Sequence, residues 1–124
     1  MSVLGIITRE LHSIGVPYEF MEWTASVVDT YFVGEYSDTP ISAEDGYKEG
    51  TMMLTGTTVA TWMDLERYRE KIERHFPSVY GLRMATDTGT VVIFYENSFT
   101  VDTGEANLKR IQINLSVKEW RNTQ

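Results

Sequence analysis

The stretch Leu108-Lys109-Arg110-Ile111-Gln112-Ile113-Asn114-Leu115-Ser116-Val117-Lys118-Glu119-Trp120 decides the fold of this chain. Ile111, Ile113, Leu115 and Val117 alternate with Arg110, Gln112, Asn114, Ser116 and Lys118, and a period of two puts one set on each face of a β-strand. Such a strand buries one face and leaves the other for water or a neighbour. Gln112, Asn114 and Ser116 are short and neutral, so their face holds water less firmly than a charged face does. They are the candidate interface residues.

Working back from this strand, Val91–Glu96 reads as a second strand, and Asp102-Thr103-Gly104 as the turn between the two. Asp87-Thr88-Gly89-Thr90 is a turn, and Leu82–Ala85 a short strand before it. Thr61–Phe76 reads as a helix. Thr61-Trp62-Met63-Asp64 matches a capping box, Trp62, Leu65, Tyr68, Ile72 and Phe76 trace one face, and Pro77 stops the run. Arg69 with Glu73 and Glu70 with Arg74 stand four apart on its polar side.

Three strands are expected upstream, over Tyr18–Trp23, Thr30–Tyr36 and Glu49–Val59. In the third, Met52 and Leu54 alternate with Thr51, Thr55 and Thr57, although Met53 disturbs the pattern. Residues 37–48 are turn-formers and charges, which predicts a mobile loop or hairpin tip. Residues 2–15 form a helix on the stripe Leu4, Ile7, Leu11 and Ile14, capped by Ser2 and ended at Gly15 before Pro17. The expected fold is therefore one α+β domain over 1–124. It is a mainly antiparallel sheet of four to six strands with two helices packed on it, in the order α-β-β-β-α-(β)-β-β.

The composition suits a folded domain: 42% hydrophobic residues, 12% aromatic and no cysteine. Disulfides, thiolate nucleophiles and thiolate metal sites are excluded. No stretch has the roughly 20 apolar residues of a membrane span. The first ten residues have no basic region and their apolar run breaks at Thr8, so no secretory signal is expected and the cytoplasm is the expected place of synthesis.

The net charge of −7 lies wholly in the first half of the chain, where residues 1–60 hold nine acids against Arg9 and Lys48. Residues 61–124 hold nine of each sign. Duplex binding through phosphate neutralisation needs a basic face and is not expected.

The residues offer little chemistry. Neither phosphate-loop glycine pattern is present, nor a nucleophile elbow or H-E-x-x-H. His12 and His75 are isolated on helices. Glu19 and Glu22 are expected on opposite faces of a strand, and Glu44 and Asp45 in a solvated loop. Asp38, Glu44 and Asp45 lack a calcium-loop pattern. No catalytic residue, metal site or cofactor is expected.

The segments Gly15-Val16-Pro17-Tyr18, Tyr31-Phe32-Val33-Gly34-Glu35-Tyr36, Glu44-Asp45-Gly46 and Leu54-Thr55-Gly56, and Trp62-x-x-Leu65-Glu66 into a charged helix, resemble the tail terminator, or tail completion, proteins of long-tailed phages and prophages. The resemblance covers about residues 10–80, and head-completion and tube proteins share its features. It implies a non-enzymatic virion protein. Six copies would form a ring that caps the tail tube and joins it to the head connector. Its partners would be the tube protein, the connector protein and further copies of itself, with DNA passing through unbound and no membrane involved. Its place would be the tail or neck of the virion, reached from the host cytoplasm.

A ring that passes DNA must not hold phosphates, which places Glu35, Asp38, Glu44, Asp45 and Glu49 at the lumen or its rim. Other readings are a different structural or adaptor module, and a small enzyme or ligand-binding domain with an acidic pocket.

Overall fold

The computed structural model describes residues 2–38 and 46–121. Helix α1 (Val3–Ser13) and strands β1 (Tyr18–Phe20), β2 (Thr30–Asp38) and β3 (Tyr47–Thr58) are followed by helix α2 (Trp62–His75). Strands β4 (Leu82–Ala85), β5 (Gly89–Val101) and β6 (Lys109–Arg121) complete the chain. The six strands make one sheet in the order β1-β2-β3-β6-β5-β4. The fold is α+β in the expected element order, but the sheet is mixed. β1 runs parallel to β2, while every other pair is antiparallel.

The parallel pair follows from where β1 stops. Met21 takes a left-handed φ of 72°, which ends the strand at Phe20 rather than Trp23. Phe32 N donates to Pro17 O at 2.7 Å and Met21 N to Gly34 O at 2.8 Å. These bonds lock the short strand alongside β2.

The alternation expected of the last strand sets the whole sheet. Ile111, Ile113, Leu115 and Val117 are buried, opposite Met52 and Leu54 of β3 and Ile93 and Tyr95 of β5. Both helices lie on this face and close the core with Ile6, Ile7, Leu11, Leu65 and Ile72. Met53, which disturbed the pattern in the sequence, points with Thr51 and Thr55 to the other face. The inward position after Leu54 is Gly56. That position is small for a reason: the Phe32 ring, paired across from it, fills the space a side chain there would need. Tyr18 packs over Gly34 in the same way, and a methyl group there would meet its hydroxyl at 2.5 Å.

Several boundaries shift. β2 reaches Asp38 and β3 begins at Tyr47, with Lys48 bonded to Asp38 at 2.8 Å. The expected mobile stretch 37–48 is therefore strand at both margins, and its middle lies outside the described residues. β5 begins at Gly89 inside the expected turn and continues five residues past Glu96, because a bulge between Tyr95 and Asn97 keeps the ladder with β6 in register. Trp62, assigned to the buried face of α2, is 46% exposed at the first turn, and Leu65 and Ile72 are the buried positions.

The caps behave as the sequence indicates. Ser2 Oγ accepts from Gly5 N at 3.1 Å, and Gly15 takes φ 82° past the end of α1. At α2 the Asp64 carboxylate accepts from Thr61 N at 3.0 Å and from Thr61 Oγ1 at 2.8 Å. Those bonds hold its carboxyl below the usual range. Arg69 bonds Glu66 and Glu73 on its own helix and Tyr95 Oη on β5 at 3.4 Å, which ties α2 to the sheet. His75 Nε2 meets Glu10 Oε1 at 2.8 Å and links the two helices, and this partner lowers the Glu10 pKa.

Two outcomes follow for stability. Thr61→Ala lowers unfolding stability by about 1 kcal/mol in urea titration, and Thr61→Ser leaves it nearly unchanged. Gly56→Ala forces the Phe32 ring aside and costs about 1–3 kcal/mol in the same measurement.

Candidate assembly surface

Among the described residues both helices pack on one face of the sheet; on the other, Trp23 stacks on Tyr31 at 5.4 Å at one end, and the rest of that face, the bare face, carries no helix. On the bare face the ladder sets side chains in rows across the strands. Val33, Thr55, Gln112 and Phe99 form one row, Glu35, Met53, Asn114 and Asn97 the next, and Ser37, Thr51 and Ser116 a third. The candidate interface residues Gln112, Asn114 and Ser116 are thus brought together at its centre. Gln112 Nε2 donates to Asn114 Oδ1 at 3.1 Å, and Asn114 Nδ2 to Asn97 Oδ1 at 2.8 Å. These bonds fix the amides, and the centre of the face around Gln112, Asn114 and Ser116 carries no charge.

Sequence reasoning missed Asn97 and Phe99, because the bulge at Glu96 reverses which residues of β5 face outward. Without it the odd-numbered residues would continue to face the core, as Ile93 and Tyr95 do. Phe99 is 51% exposed on this face as a result.

Charges stand at the margins. Lys118 lies 5.6 Å from the Tyr47 ring and 5.8 Å from the Phe94 ring, opposite Glu49, and Tyr47 stacks on Trp120 at 5.4 Å. Arg110 Nε reaches Thr57 Oγ1 at 3.4 Å. Of the acids assigned to a lumen, Glu35 and Glu49 lie on the bare face. Asp38 lies on the opposite face, held by Lys48. Glu44 and Asp45 lie outside the described residues.

A cleft lies elsewhere, where the end of α1 meets the start of α2. It is lined by His12, Asp29, Asp64 and Tyr68 among others and holds about 580 Å³. Its acids do not make a poised pair. Asp64 caps α2, and His12 Nε2 is within bonding distance of Tyr18 O, at 2.9 Å. Glu19 is likewise engaged, accepting from Thr24 N and Ala25 N, each at 3.0 Å. Glu22 lies past the end of β1, so the two are separated by this turn rather than by strand alternation.

Tyr18 and Tyr36 are both pushed up to about 12, by burial in each case and for Tyr36 also by Asp38 and Glu119. Both stay protonated and inert as bases near neutral pH. Among the described residues no cluster of three or more His, Asp or Glu could hold a metal, and no helix is long and apolar enough to cross a membrane.

No protein-family model matches the chain, and no curated protein matches it either.

The two faces of β6 differ in what they do for stability. Asn114→Ala, on the bare face, shifts the unfolding free energy by less than about 0.5 kcal/mol. Ile113→Ala, one residue away on the buried face, costs about 2–5 kcal/mol. Urea unfolding of the two variants side by side measures the contrast.

Proposed function

We propose that this chain is a structural component of a phage virion, of the head–tail joining or tail completion type, which forms a ring that caps the tail tube and meets the head connector. The observation that carries the reading is the bare sheet face: its centre is uncharged and amide-bonded, on a domain whose core is complete without it. Such a face suits burial against another protein, because little charge has to be stripped of water. The likeness of residues 10–80 to tail completion proteins supplies the assembly: a ring of about six copies, with the tube and connector proteins as partners.

Glu35 and Glu49 at the margin of the bare face are the acids placed toward the DNA path. They keep the phosphate backbone from gaining a counterion-releasing grip. Asp38 keeps its place near the rim but is neutralised by Lys48.

The alternative, a ligand-binding domain with an acidic pocket, has the cleft beside His12, Asp29 and Asp64 in its favour. The engagement of Asp64 in the helix cap counts against it.

Electron microscopy of the purified chain, paired with a duplex-DNA mobility assay, tests the proposal. The expected result is annular particles with an axial hole that do not retard duplex DNA. The same particles carrying Glu35→Lys with Glu49→Lys retard it, and added salt abolishes the effect. Particles without a hole, a chain that stays monomeric, or wild-type rings that bind DNA would overturn it.

A further inference from the structure

The two lateral edges of the sheet are unlike each other and match. At the β1 edge, Phe20 and Met21 are exposed beside an exposed Glu22, and Met21 N donates to Gly34 O. No Lys or Arg occurs anywhere from residue 17 to residue 47. At the β4 edge, Val79 and Tyr80 are 78% and 83% exposed, beside an exposed Arg83. Arg9 adds a second cation there, donating to Met84 Sδ on β4 at 3.4 Å. Its own partner is Glu10, and Asp87 stands at the far turn. Each edge thus presents a pair of exposed apolar side chains with a charge, and the two charges have opposite sign.

Met21 gives a second observation. It is not glycine, yet it sits at φ 72° with its side chain 60% exposed. A left-handed conformation costs a non-glycine residue on the order of 1–2 kcal/mol; the bond from Met21 N to Gly34 O holds the backbone there, while the side chain is not packed on the core. This turn leaves Met21 and Glu22 exposed at the sheet edge, where a neighbour would bury them.

We propose that copies of this chain join head to tail, the β1 edge of one (Phe20, Met21, Glu22) seating on the β4 edge of the next (Val79, Tyr80, Arg83). The proposal deepens the ring reading above and rests on it. Pairing two β1 edges would set Glu22 against Glu22, and pairing two β4 edges Arg83 against Arg83, whereas the unlike pairing sets Glu22 against Arg83. A contact between two different patches of one surface repeats from copy to copy and closes into a ring when its rotation allows. The bare face then remains free for the tube protein.

Sedimentation velocity and native mass spectrometry on the full chain test this with Glu22→Lys and Arg83→Glu. Both residues are exposed, and circular dichroism checks that each variant keeps the wild-type fold. Each variant alone associates at least about tenfold more weakly than wild type. An equimolar mixture of the two recovers the wild-type mass, because every seam in an alternating assembly is again acid against base.

A second measurement uses the cysteine-free background. A mixture of Glu22→Cys and Arg83→Cys proteins forms a disulfide-linked heterodimer under mild oxidation, and neither protein alone does so to a comparable extent. Wild-type assemblies that survive both reversals, a mixture that stays dissociated, or cysteine linkage within each variant alone would overturn the head-to-tail seam while leaving the ring intact. A wild type that never assembles would overturn both.

Discussion

The pairing of β3 with β6 through the middle of the sheet governs the rest of this structure. Twelve residues of β3 face twelve of β6, from Tyr47 against Trp120 to Thr58 against Lys109. A strand's side chains alternate strictly, so committing Ile111, Ile113, Leu115 and Val117 to the helices commits Gln112, Asn114 and Ser116 to the other side. A slip of one residue would exchange the two sets. The helices can cover only one face of a single sheet, and they cover the apolar one.

Packing on the inner face enforces that register. Large rings fill space left by glycines on the adjacent strand, Tyr18 at Gly34 and Phe32 at Gly56, so β1, β2 and β3 interlock in one alignment. Tyr68 of α2 meets the Phe32 ring edge-on at 5.7 Å, and Arg69 joins the same helix to Tyr95. The domain is complete on this side. The bare face takes no part in this packing, and we propose that its uncharged centre is kept for another protein.

Much of this was legible in the sequence, because β6, α1 and α2 carry local signals: a clean period of two, apolar stripes, and caps at Ser2 and Thr61. The parallel pairing of β1 was not legible. It depends on one left-handed residue, Met21, and on bonds between residues more than ten positions apart. The bulge at Glu96 was hidden too, since an extra residue in one strand is defined only by the partner it fails to pair with. Hence Asn97 and Phe99 joined the bare face unannounced, beside Gln112 and Asn114, which the alternation had already placed there. The acids Glu35, Asp38 and Glu49 looked alike in the sequence. Pairing and register separate them, with Lys48 taking Asp38 and the pleat turning Glu35 and Glu49 to the other side.

The central claim, our proposal that the bare face is kept for a tube protein, is tested most directly by oxidative footprinting of the chain with and without that partner bound. Met53 and Phe99 lie on the bare face, and Met63 is exposed on α2 at the helical side. The account predicts that oxidation of Met53 and Phe99 slows several-fold when the tube protein binds, while Met63 reacts as before. Unchanged rates at Met53 and Phe99, with protection of Met63 instead, would contradict it.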